Sequence, residues 1–178
     1  MLTALLLIPL LGVLALLPLS EGTVLGDSRM KRIALLTAMV NFFVSIVVWG
    51  EFDSSATSYQ FVQEFNNLSF CHFHIGIDGI SLYFVLLTTF ITPVCILSNW
   101  TTIKSPGGAQ GIKYFLIAFL VLETLLIAVF VVLDLMLFYI FFESVLIPLF
   151  LIVGIWGGSE NRVPVSYTHL TLPTNREV

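Results

Sequence analysis

From Tyr114 to Trp156 the chain runs for forty-three residues with only three charged side chains, Glu123, Asp134 and Glu143. As one helix this stretch would measure about 65 Å, roughly twice the hydrocarbon thickness of a bilayer. It must fold back on itself, and Asp134 is the turning point, because a carboxylate suits the N-terminus of the helix that follows. The stretch therefore reads as a helical hairpin with spans over residues 114–132 and 135–156.

The rest of the chain agrees with a membrane setting. Hydrophobic residues make up 58% and charged residues 10%, with a mean hydropathy of +1.03. An average soluble domain has roughly 25% charged residues. The apolar runs are continuous rather than alternating with a period of two, which points to helices. Three more spans are expected over residues 2–19, 33–49 and 80–97. The fold class is thus all-α, a polytopic membrane protein with five transmembrane helices inside a membrane domain of residues 1–163. The first run has no basic leader and no small-residue cleavage site, so it reads as a retained helix. Asn41 is expected to hydrogen-bond between helices, and Pro93 to kink the third span.

The intervening segments are sparse in chemistry. Gly50 to Asp78 reads as a polar loop, with Trp49, Tyr59, Phe61, Phe70 and Phe73 forming an interfacial belt. Asp78 is expected at the interface, starting the third span. Cys71, His72 and His74 suggest a metal site only superficially, since no further ligands follow at a suitable spacing. Cys71 and Cys95 read as inert thiols. Seven Lys and Arg residues and a net charge of −4 leave no nucleic-acid surface.

The basic residues set the orientation. Arg29, Lys31 and Arg32 lie between spans one and two, Lys104 and Lys113 between three and four, and Arg162 after five. With five spans all of them fall on one side, as the positive-inside rule expects. The N-terminus is then expected on the opposite side.

Two carboxylates stand out. Glu123 lies eleven residues before Asp134 and Glu143 nine after it. In an antiparallel hairpin the two are nearly level, close to the bilayer centre, and Glu143 is expected to face Glu123. A carboxylate there costs about 2.5–3.5 kcal/mol on insertion scales and commonly marks a proton or ion path. Two such groups cannot both ionise cheaply, so at least one is expected to hold a proton near neutral pH. Pro148 removes the helical donor to the Ser144 carbonyl one turn beyond Glu143, and Tyr139 shares the helical face of Glu143. The bland alternative is that each glutamate merely bonds a neighbouring helix.

HIGIDGISLYFVLLTTFITPVCIL (His74 to Leu97) and LDLMLFYIFFESVLIPLFLIVGIWG (Leu133 to Gly157) resemble the chain 4 family of NADH-ubiquinone oxidoreductase, antiporter-like membrane subunits of mitochondrial respiratory complex I. The resemblance covers residues 30 to 162. It implies an N-terminal fragment of a fold of about fourteen helices built on inverted repeats. It implies that Glu143 is the central proton-translocating residue, Glu123 a secondary one, and Tyr139 and Pro148 supporting ones. The lysine with which the family pairs its fifth-helix glutamate lies on a later helix and is absent here. From Pro164 to Val178 the family pattern stops, and the segment resembles translated adapter read-through, so 164–178 is expected to be a non-native tail.

The function this implies is transmembrane proton translocation within the proton-pumping NADH:ubiquinone oxidoreductase of the mitochondrial inner membrane. The N-terminus would lie on the intermembrane-space side. The partners implied are the other membrane subunits of the complex and the lipid bilayer. No redox chemistry and no cofactor belong to this chain by that reading; NAD, FMN, iron–sulfur clusters and ubiquinone belong to other parts of the complex. The alternatives are an ion/proton antiporter subunit of the related multisubunit family, and an incomplete gene product without activity.

Overall fold

The computed structural model describes residues 1–19, 24–53, 59–65, 73–100 and 111–156. Within these, five helices are α1 (Leu2–Leu16), α2 (Val24–Glu51), α3 (Gly79–Ser98), α4 (Gly111–Val131) and α5 (Leu135–Trp156), and a hairpin of β1 (Gln60–Phe65) and β2 (Phe73–Ile77) joins α2 to α3. The last four helices are long and apolar enough to cross a membrane, whereas α1 is a shorter apolar helix. Its 15 residues reach about 22 Å, less than the roughly 30 Å of hydrocarbon. Backbone bonds from Leu17 to Val13 and from Leu19 to Leu16 carry the chain a little further as a turn.

Two expectations are corrected. The connector expected before residue 33 is helical from Val24, so α2 has 28 residues and measures about 42 Å. Nothing after Gly26 breaks the helix, and Asp27 in the first turn complements the positive end of the dipole. The segment read as a plain polar loop contains an antiparallel β-hairpin. Ile75, Gly76 and Ile77 are buried, while His74 before them and Asp78 after them are only half-buried, so β2 turns its two isoleucines into the bundle. The two strands of the hairpin pair with each other at one end of the bundle, which gives their backbone polar groups partners. It is irregular: the register shifts between Gln60 and Gln63, and Phe61 sits there at φ 54°. Cys71, His72, Phe70, Lys104, Arg162 and the segment 164–178 lie outside the described residues.

α4 is the central element, packing against α1, α2, α3, α5 and β2. The hydrophobic core forms two layers. One gathers Leu2, Leu5, Val48, Ile75, Ile77, Leu82, Val85, Ile127 and Val131 under the β-hairpin. The other gathers Leu16, Met30, Ala34, Ala38, Ile96, Ile112, Phe115, Leu116 and Leu120 at the opposite end. Gly12 lets α1 approach α2 closely, since a Cβ there would stand 2.5 Å from the Thr37 methyl group.

Lysines tie the second end together. Lys113, in the first turn of α4, donates to the carbonyls of Leu17 (2.7 Å) and Leu19 (3.0 Å) just past α1. Lys31, early in α2, donates to the Trp100 carbonyl (2.5 Å) just past α3 and lies 5.9 Å from the Trp100 ring centroid. Each cation is poorly placed for the dipole of its own helix but well placed for the C-terminal end of its antiparallel neighbour. The basic residues of connectors one-to-two and three-to-four that the structure describes therefore share one end.

At the other end Asp78 caps α3, its Oδ1 accepting from the Ser81 N–H at 2.7 Å. That bond and the Ser81 side chain hold the Asp78 carboxyl below the usual aspartate range. The expected turn at Asp134 is present too. Its Oδ1 accepts from the Met136 N–H at 3.0 Å, and the Leu133 N–H donates to the His74 carbonyl at 2.9 Å, fastening the α4–α5 turn to β2.

Candidate functional site

Between the two apolar layers lies a stratum of buried polar side chains: Asn41 and Ser45 on α2, Thr89 and Thr92 on α3, Glu123 and Thr124 on α4. Residues 41 and 45 are one helical turn apart, as are 89 and 92, so each pair shares a face. These faces converge because α2, α3 and α4 pack on one another.

The hydroxyl groups are largely satisfied on their own helices. Thr89 Oγ1 donates to the Val85 carbonyl (3.0 Å), Thr92 Oγ1 to Thr88 (3.0 Å) and Thr124 Oγ1 to Leu120 (2.9 Å). Ser45 Oγ and Thr89 Oγ1 also meet at 2.8 Å, linking α2 to α3. Pro93 stands inside α3 and has no N–H, which frees the Thr89 carbonyl at the same depth.

The Asn41–Glu123 pair is different. Asn41 Nδ2 donates to Glu123 Oε1 at 2.8 Å, and this is the interhelical role expected of Asn41. Glu123 is 1% exposed and Asn41 fully buried. Glu123 Oε2 and Asn41 Oδ1 are both buried without a hydrogen-bond partner. Buried polar atoms are normally paired, and an unpaired one costs about 1–3 kcal/mol. Two orphaned acceptors on one pair call for a donor, and a proton on Oε2 would supply one. The arrangement is a buried carboxyl clamped by an amide, with one acceptor left over on each partner.

Glu143 is placed otherwise. It lies near the middle of α5, but its side chain is exposed, and no hydrogen bond joins it to Glu123. The hairpin exists as expected; the expectation that Glu143 faces Glu123 across it is corrected. Glu123 turns inward to α2, whereas Glu143 sits on the uncovered surface of α5. Periodicity sets a residue's angle around its helix, but the packing of the hairpin decides which angle is covered. Tyr139, 63% exposed, lies on the same surface without a hydrogen bond to Glu143. Pro148 is buried, and Ser144 Oγ donates back to the Ile140 carbonyl at 2.7 Å. Among the described residues no group of three or more His, Cys, Asp or Glu side chains is placed to hold a metal ion.

Sequence reasoning did not single out Ser45, Thr89 or Thr92. The available signal was their turn-by-turn spacing next to Asn41 and Pro93 inside otherwise apolar runs.

Comparison with known proteins gives a consistent picture. The family profile described as NADH-ubiquinone oxidoreductase chain 4, amino terminus, matches residues 1–129. NADH-ubiquinone oxidoreductase chain 4 of Mycosarcoma maydis is 68% identical over 167 residues, covering 94% of this chain and 34% of that protein. NADH-quinone oxidoreductase subunit M of Rhodobacter capsulatus is 44% identical over 161 residues, covering 85% and 30%. Among solved structures, a chain of respiratory complex I from Thermus thermophilus with bound NADH superposes with a TM-score of 0.72 at 25% identity, over 96% of this chain and 32% of that one. The chain thus spans about a third of the length of the relatives it matches.

Proposed function

This chain belongs to the NADH-ubiquinone oxidoreductase chain 4 family, and from that premise we propose that it forms part of a proton-translocating membrane subunit of NADH:ubiquinone oxidoreductase. It works in the mitochondrial inner membrane beside the other membrane subunits of the complex, with NADH oxidation, quinone reduction and their cofactors located in other subunits. Its N-terminus lies on the intermembrane-space side. The lysine-tied end of the bundle, carrying Arg29, Lys31, Arg32 and Lys113, supports that orientation under the positive-inside rule.

The observation that carries the proton-translocating reading is the pair of carboxylates at the middle of one membrane hairpin. Glu123 lies midway along α4 and Glu143 midway along α5. Glu143 is the principal protonatable group, Glu123 is secondary, and Tyr139 and Pro148 support Glu143. An acid left facing hydrocarbon is costly, so the exposed strip of α5 bearing Tyr139 and Glu143 is covered by protein or water in the working assembly. Glu123 then addresses the helices of this bundle and Glu143 addresses what lies beyond it. The two form a relay across α4 and α5 rather than a face-to-face dyad.

The test is Glu143→Gln in the full-length subunit of the assembled complex. Proton uptake driven by NADH oxidation in sealed vesicles, read with a pH-sensitive dye, is expected to fall roughly a hundredfold, the low end for removal of a positioned acid–base group. Glu123→Gln is expected to cost clearly less. Wild-type pumping by the Glu143→Gln complex would overturn the assignment.

A further inference from the structure

A groove of about 280 Å³ runs between α3 and α4, near the lower end for small-ligand sites. Its wall is mostly apolar, built from side chains that include Phe84, Phe119 and Phe130, and Glu123 contributes to it. Phe84 and Phe130 stack across the two helices, with ring centroids 5.1 Å apart and planes at 13°. Glu123 is almost wholly buried, and one of its oxygens, Oε2, has no partner. The groove therefore combines apolar surface, ring faces that attract cations, and one unfilled acceptor on an acidic group.

We propose that this groove binds hydrophobic amines, with the nitrogen paired to Glu123 and the alkyl or aryl body lying among Phe84, Phe119 and Phe130. The chemistry suits a site inside a bilayer. A neutral amine reaches the groove through lipid, and the carboxyl proton moves to its nitrogen: one O–H bond breaks, one N–H bond forms, and the resulting ammonium–carboxylate pair carries no net charge. The ammonium donates to Oε2, while Oε1 keeps its bond from Asn41. A neutral alcohol of the same length would bury the same apolar surface but could not form the ion pair. This inference concerns binding and goes beyond the proton-carrying role, because its readout is occupancy rather than pumping.

The probe is a long-chain primary amine carrying a diazirine, applied at neutral pH to membranes containing the assembled complex with the full-length subunit. Cross-links are mapped by mass spectrometry of the α3 and α4 peptides. The amine is expected to label both peptides, and the alcohol of the same chain to label them about tenfold less, as loss of a charge-assisted hydrogen bond implies. Labelling by the amine is expected to fall to the alcohol's level in Glu123→Gln. It should also be lost in Cys95→Phe, which fills the groove from α3 and leaves the Asn41–Glu123 bond in place. Alcohol labelling equal to that of the amine in the wild type would overturn the proposal, because the groove would then be taking aliphatic chains regardless of charge. Undiminished amine labelling in Glu123→Gln would overturn it as well. The wild-type amine–alcohol comparison and Cys95→Phe decide the question even if Glu123→Gln fails to assemble.

Discussion

Asn41 governs what Glu123 can be. The bond from Asn41 Nδ2 leaves Glu123 Oε2 and Asn41 Oδ1 without donors, so the pair is half satisfied as it stands. Glu123→Gln would add an N–H beside the orphaned Asn41 oxygen while keeping an acceptor for Asn41 Nδ2. It is therefore expected to leave the thermal stability of the assembled complex unchanged or slightly raised. Asn41→Leu removes the donor from a buried carboxyl and is expected to cost about 1–3 kcal/mol, seen as a lower melting temperature. A destabilised Glu123→Gln together with a stable Asn41→Leu would show that the pair is not coupled in this way. The amide was legible in the sequence because a lone Asn in an apolar run has few other uses. The hydroxyls of Ser45, Thr89 and Thr92 were not, because Ser and Thr in a helix can bond their own preceding turn and so announce no partner. The direction of Glu143 was not legible either: its depth follows from counting residues along α5, but its exposure depends on which neighbours cover that helix.

Among the elements, the hairpin of α4 and α5 was the most legible, since a mostly apolar stretch of forty-three residues interrupted by Asp134 admits few other arrangements. α2 and the β-hairpin were less so. A polar first turn can be helical when nothing breaks it, and Ile75 and Ile77 alternate with smaller or polar residues in a segment whose other residues read as loop. The α1–α2 contact shows what periodicity misses altogether. α1 is too short to span alone, and it is held by a close approach at Gly12 that pattern reading treats as an ordinary apolar position. A side chain at Gly12 must displace Thr37, whose Oγ1 is tied to the Ile33 carbonyl at 2.8 Å. Gly12→Val is expected to destabilise by about 1–3 kcal/mol through overpacking, and Thr37→Ala to recover part of that loss. A double-mutant cycle on unfolding in mild detergent measures the coupling, and additive effects would show that the two helices separate without cost.

At the scale of the molecule, two apolar layers enclose a polar stratum, and the coverage of the five helices is unequal. α4 is surrounded by α1, α2, α3, α5 and β2, whereas α5 packs chiefly on α4 and leaves most of its length uncovered. Large side chains such as Leu135, Tyr139, Phe142 and Ile147 are exposed there alongside Glu143. Phe and Leu suit lipid, but Glu143 and Tyr139 do not, and Pro148 removes a backbone bond from the same helix. The free energy of local opening follows how many packed neighbours an element has, so α4 and α5 should differ sharply in dynamics despite forming one hairpin. In this chain reconstituted in lipid nanodiscs, backbone hydrogen exchange is expected to be roughly tenfold or more faster around Glu143 and Ser144 than around Glu123 and Thr124. In the full-length subunit within the assembled complex, the α5 rate is expected to fall towards that of α4, while α4 changes little. Equal rates in both helices of the short chain would mean that lipid alone secures α5. The exposed strip carrying Glu143 would then not require a protein partner.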